Sequence, residues 1–163
     1  MSAYFFIGFS VTYYLNIIKV YYKYPHLSGD DIMNEIIRVC CAIIEDGAKV
    51  LAAQRSEDMG RGHKWEFPGG KIEHNETPGE CIKRELMEEL GIEVEIKSML
   101  NSHTHKYKDK TIELIPFIVE ITNGVPTPKE HEKLIWESPE CLKDLEWSGA
   151  DVPVLKEYLA RRE

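Results

Sequence analysis

Apolar and polar positions alternate along the chain in two periods, one of strands and one of helices. Ile36 to Glu45 is rich in Ile, Val and Cys, and Asp46-Gly47 is a two-residue hairpin signal leading into a second strand over Lys49 to Ala53. These two strands should be central. A polar loop from Arg55 to Lys64 delivers Trp65, Glu66 and Phe67 as a short strand. The period then changes: Ile82, Leu86 and Leu90 recur at i, i+4 and i+8, the apolar stripe of a helix packed on a core. Thr77 as cap, Pro78 at the first helical position and Glu80 as the capping-box partner start this helix, and Gly91 stops it. Strand alternation returns over Ile92 to Leu100, continues through Ser102 to Tyr107, and after a turn at Lys108-Asp109 resumes over Thr111 to Thr122. Leu134 to Trp136 is a short strand, Ser138 caps a short helix containing Pro139 to Leu142, and Asp151 caps a last helix running to Arg161. The order implies an α/β fold, a sheet with helices on both sides.

Composition narrows the setting. A chain of 163 residues with 43% hydrophobic residues makes one domain of ordinary size with a real core. Its net charge of -8 argues against a nucleic-acid duplex as partner, because phosphate binding on that scale draws on a basic surface. A small polyphosphate carried in with its own metal ions fits that charge. Cys40, Cys41, Cys81 and Cys141 show no CxxC spacing and read as reduced core cysteines of a cytoplasmic protein, with Cys40 and Cys41 on opposite faces of their strand.

The first 18 residues carry no charge, and Pro25 and Ser28 to Asp31 look like a linker. Residues 1–33 therefore read as a hydrophobic extension and linker, and 34–163 as the working domain, with Met33 a self-sufficient start. For the extension three readings stand, in this order: a segment outside the working domain, a membrane anchor, or an element packed on the domain. Polar Ser10, Thr12 and Asn16 weigh against a membrane span.

The chemistry concentrates on one helix. Glu85, Glu88 and Glu89 stand at i, i+3 and i+4, which brings three carboxylates onto one face within about one turn, ~5.4 Å of rise. Like charges so close repel. A solvated helix would relieve the repulsion with interspersed lysines, whereas a hard divalent cation turns the same clustering into an advantage. An acidic surface helix is the other reading of those three residues alone.

The wider pattern is more specific. Gly70, five residues, Glu76, seven residues, Arg84-Glu85-Leu86, one residue, Glu88-Glu89, one residue, Gly91-Ile92 resembles the box of the Nudix hydrolases at every defined position. The preceding WEFPGG, Trp65 to Gly70, is similar to the MutT-type nucleoside-triphosphate diphosphatases, and that likeness extends more loosely over Ile36 to Ala160. The resemblance implies the Nudix fold, an α/β/α sandwich with a central mixed β-sheet. It also implies Mg²⁺, with Mn²⁺ as a substitute, held by Glu85, Glu88, Glu89, the Gly69 carbonyl and an acid outside the box. Glu130 matches that outside position and Glu132 competes for it. Glu85 or Glu130 would serve as base, Arg84 would orient a glutamate, and Glu76 would support the loop.

For the substrate, Arg55 matches a phosphate-contacting arginine, Lys71 is a second phosphate candidate, and Phe67 and Asp151 would sit at the base. An ionised Asp151 accepts but does not donate, which favours an exocyclic amine such as that of cytosine; its duty as a helix cap is the plainer explanation. His103, His105 and His131 read as ordinary strand or loop histidines, and Lys106, Lys108 and Lys110 as a solvated turn.

The expected activity is Mg²⁺-dependent hydrolysis of a nucleoside triphosphate, an oxidised purine or a (deoxy)cytidine nucleotide, to monophosphate and pyrophosphate, as in nucleotide-pool sanitising and DNA repair. The alternatives are an ADP-ribose or dinucleotide pyrophosphatase and a non-catalytic nucleotide-sensing module. The expected partner is a small nucleotide, not a membrane, and the chain is expected as monomer or homodimer.

Overall fold

The computed structural model describes residues 36–57 and 62–162. The uncharged extension, the linker and Met33 lie outside the described residues, as does the stretch 58–61 of the polar loop. Among the described residues no helix is long and apolar enough to cross a membrane.

Seven strands form one mixed sheet: β1 (Ile36–Asp46), β2 (Lys49–Gln54), β3 (Trp65–Glu66), β4 (Glu93–Met99), β5 (His103–Lys106), β6 (Thr111–Asn123) and β7 (Lys133–Glu137). The main order is β3-β2-β1-β6-β4, with β5 paired to β6 and β7 paired to β2. β1 and β6 run parallel at the centre and the other pairs are antiparallel. The stretch expected to run on through Ser102 to Tyr107 is instead two strands, both laid along β6. The break falls beside Pro116, which has no N–H for the ladder and whose carbonyl accepts the Leu100 N–H at 3.0 Å.

Strand β1 divides the core. Cys40, Ala42 and Ile44 face one side, where they meet Cys81, Ile82, Leu86 and Leu90 of helix α1 (Pro78–Leu90). Cys41 and Ile43 face the other and pack with Val154, Leu155 and Tyr158 of helix α2 (Asp151–Ala160). The period of two along the strand thus makes the α/β/α sandwich, and it puts Cys40 and Cys41 on opposite faces as expected. Cys40, Cys41 and Cys81 are buried free thiols; Cys141 is exposed, contrary to the expectation of a core position, because it opens a 3-10 turn (Cys141–Asp144) at the surface. Ser138 does not cap that turn with its side chain in the expected way; its carbonyl receives the Cys141 N–H at 3.0 Å.

Helix α1 starts and stops as its sequence dictates. The Thr77 hydroxyl accepts the Glu80 N–H, the Glu80 carboxylate accepts the Thr77 N–H, and Gly91 adopts φ 71° to close the helix. Leu86, with no exposed surface, is the residue that seats the acidic face of α1 at a fixed height above the sheet. Leu86→Ala should cost about 2–5 kcal/mol in urea unfolding with an unchanged m-value, the loss from a cavity in a rigid core.

Candidate active site

Arg84 is the centre of the acidic cluster. Its guanidinium donates from Nε and Nη2 to the two oxygens of Glu76, at 2.7 and 2.9 Å, and from Nη1 to Glu85 at 2.8 Å and to Glu88 at 3.1 Å. The fork on Glu76 holds that carboxyl down at about 2 and raises the arginine in turn. Reading the helical face for lysines alone overlooked this compensation. The repulsion among the acids is relieved in part by an arginine one position before Glu85, whose long side chain folds back over the same face.

Glu89 points the other way. It is 7% exposed, accepts the Gly69 N–H at 3.1 Å, and is pushed up to about 8 by burial first and then by the charges of Glu85 and Glu66, with Glu130 also contributing. Glu85 is raised in the same way, mainly by burial, against the pull of Arg84. Both acids press on the glycine pair. A Cβ at Gly70 would lie 2.2 Å from the Glu85 carboxyl carbon, so the close approach of that side chain requires glycine.

The glycine segment itself is tied to β1: Ala42 N–H donates to Pro68 O at 2.8 Å and Cys40 N–H to Gly70 O at 2.9 Å. Beneath these bonds the Cys40 and Cys81 thiols meet in hydrogen-bond contact, joining strand to helix.

A cavity of about 210 Å³ runs from Glu89 and the Gly69-Gly70 backbone, past Arg55, Glu66 and Lys71, to Phe67, Tyr107 and Asp151. A larger hollow of about 590 Å³ lies around the β1–β2 turn, between Glu45 and Trp136, and holds none of the residues singled out for chemistry. In the smaller cavity Arg55 pairs with Glu66. Lys71 is exposed at its edge, and Lys110 lines it, so one member of the basic turn faces the cavity.

At the far end Phe67 packs on Trp147 with ring centroids 4.5 Å apart, and its N–H donates to Asp151 Oδ1 at 3.0 Å. Asp151 therefore does not cap α2 as expected. Ala150 holds the cap position, and Asp151 is the first helical residue, its buried carboxyl turned across to the strand side. Burial above all, aided by the Glu66 charge, pushes it up to about 8 against the pull of the Phe67 N–H.

The competing outer acids separate. Glu132 bonds His63 at 2.9 Å, whereas Glu130 is exposed and near enough for its charge to act on Glu89. His103 bonds Glu157 at 2.8 Å, and His105 packs edge-on against Tyr107. As the side chains stand, no three His, Cys, Asp or Glu residues among those described are gathered tightly enough to grip a cation, since Arg84 occupies the space between Glu85 and Glu88.

Three residues of this site carry no signal of a role in the sequence: Glu66 within WEFPGG, Tyr107 at a strand end, and Ser148. Tyr107 OH lies 3.2 Å from Ser148 Oγ and accepts the Ala150 N–H at 3.0 Å, a link between segments some 40 residues apart that no local spacing announces.

With the cleft in view, the comparisons with known proteins agree. The model of the NUDIX domain matches residues 35–158. The CTP pyrophosphohydrolase of Escherichia coli (strain K12) is 37% identical over 128 residues, covering 78% of this chain and 95% of that protein. The 8-oxo-dGTP diphosphatase of the same strain is 32% identical over 120 residues, covering 73% and 93%. The solution structure of the E. coli ORF135 protein superposes with a TM-score of 0.70 at 35% identity, covering 79% of this chain and 92% of that one. Sheet order, glycine-bounded acidic helix and family match run over the same residues, and the chain belongs to the Nudix family.

Proposed function

We propose that this Nudix hydrolase cleaves a nucleoside triphosphate to the monophosphate and pyrophosphate, in a Mg²⁺-dependent reaction, with (deoxy)cytidine or oxidised guanine triphosphates as substrates. The observation that carries the reading is the single cavity that joins the buried Glu89 and the Gly69-Gly70 backbone at one end to Phe67 and Asp151 at the other, with Arg55 between.

The residues suit a divalent cation. The donors are all hard oxygens, and Glu89 is driven toward its protonated form by burial and neighbouring negative charge, a state a divalent ion would relieve. Glu85, Glu88 and Glu89, with the Gly69 carbonyl and Glu130, would hold Mg²⁺ or Mn²⁺, which supplies charge neutralisation at the phosphoryl oxygens and a water of lowered pKa. Arg84 orients Glu85 and Glu88 from below. Glu85, half-withdrawn from solvent and raised, or Glu130 at the rim, takes the proton of the attacking water on a carboxylate oxygen. Arg55 and Lys71 meet the phosphates, and the guanidinium fork suits their oxygens. Phe67 offers an apolar wall to the base and Asp151 a polar one. A protonated Asp151 can donate as well as accept, so the choice between cytosine and oxidised guanine rests on more than a lone acceptor, in keeping with relatives whose names divide between the two.

Three outcomes follow. Glu88→Gln should lower turnover by about a hundredfold or more while keeping the fold, and EDTA should abolish turnover until Mg²⁺ is restored; a variant with unchanged turnover would remove Glu88 from the site. Product formation from dCTP, 5-methyl-dCTP, 8-oxo-dGTP and ADP-ribose tests the substrate: one of the triphosphates should lead, and preference for ADP-ribose would overturn the class. The third concerns stability. Asp151 titrates at 3.8 when unfolded and about 8 when folded, so between those values the folded chain holds a proton that the unfolded chain has released. Stability then falls as pH rises through that window. In Mg²⁺-free buffer Asp151→Asn should flatten the fall by up to about 1.4 kcal/mol per pH unit, measured by urea unfolding from pH 5 to 8.

A further inference from the structure

The His131 ring is 1% exposed, yet it belongs to a chain of polar contacts that reaches into the cavity. Its Nε2 lies 3.1 Å from Glu66 Oε1, and its buried Nδ1 has no hydrogen-bond partner. A carboxylate only accepts, so Nε2 is the donor in this contact. The other oxygen of Glu66, Oε2, accepts from Arg55 Nη1. Each oxygen of Glu66 is therefore held by a different donor.

We infer that His131 is a positioning residue: by fixing Glu66 it holds the Arg55 guanidinium in place for the phosphates of the substrate. The inference rests on the nucleotide-hydrolase reading given above. The last torsion of a glutamate is broad and nearly two-fold, so a single partner leaves the carboxylate free to swing, while two partners on separate oxygens define one orientation. Arg55, which lines the cavity, presents a bidentate-capable fork, and a fixed Glu66 on its Nη1 restricts the orientations that fork can take.

The backbone explains why these three meet. Glu66 in β3 pairs with Ala53 of β2, Arg55 follows directly on β2, and the Glu132 N–H donates to Gln54 O at 2.9 Å, which brings the start of β7 alongside. Three neighbouring strands thus deliver donor, acceptor and donor to one spot. Glu66 lines the cavity and is near enough to both Glu89 and Asp151 for its charge to act on each.

The test compares His131→Ala with His131→Gln in the full chain, since the glutamine amide reaches as far as Nε2 and keeps a donor there. His131→Ala should raise KM for the best triphosphate about tenfold with kcat within about twofold, and His131→Gln should return KM to within about threefold of the original. The Arg55 guanidinium N–H signal in ¹⁵N NMR, assigned by its loss in Arg55→Lys, should be sharp in the unsubstituted chain and in His131→Gln and broadened in His131→Ala. If the alanine variant does not fold, His131→Asn, whose amide stops at the level of Nδ1, replaces it with the same expectations. An unchanged KM, a glutamine variant no better than alanine, or an Arg55 signal indifferent to the substitution overturns the inference. A chain that turns over no triphosphate overturns the proposed function instead, and the guanidinium signal alone then decides the role of His131.

Discussion

The site depends on a strand exchange at β1. Strand β2 is registered with β1 only beside the hairpin, at Glu45 and Asp46, and along the earlier part of β1 the backbone of the glycine segment takes its place. Three hydrogen bonds, from Ala42 to Pro68, from Cys40 to Gly70 and from Ile72 to Arg38, hold that segment in the sheet. Irregular backbone is thereby satisfied without a continuous ladder. Because the segment leads into α1, the same bonds fix where the acidic helix begins and how closely its glutamates approach the glycines.

That placement makes the cluster a balance of opposing electrostatic effects. Glu76 is low because Arg84 grips it with two donors, and Glu89 is high because it is buried near other acids with one backbone N–H for company. Two carboxyls thirteen residues apart in one motif are thus separated by several units of acidity, through environment alone. The low one serves as an anchor for the arginine. The high one lies buried against the Gly69 N–H.

The cavity repeats the pattern at its other end. Asp151 is buried and raised as Glu89 is, and Glu66 between them contributes to both shifts. A cavity with a raised acid at each end and an arginine-bound carboxylate acting on both is electrostatically coupled, so that a change of charge at Glu66 is felt at Glu89 and at Asp151 alike. Aromatic packing of Phe67 on Trp147 stiffens the Asp151 end of the cavity.

Local sequence was enough to determine the elements and the family: the capping box of Thr77 and Glu80, the Gly91 stop, the apolar stripe of Ile82, Leu86 and Leu90 and the alternation of β1 all act over a few residues, and each forms as expected. The Nudix likeness was legible for the same reason, since its box lies within one loop and one helix. Only the tertiary structure decided which partners those residues would have. Arg84 among the glutamates, Asp151 turned to Phe67 rather than to its own helix, and His131 on Glu66 are choices made by packing, because a side chain's hydrogen bonds and its burial depend on what distant strands bring alongside it, and neither is encoded in the spacing of its neighbours.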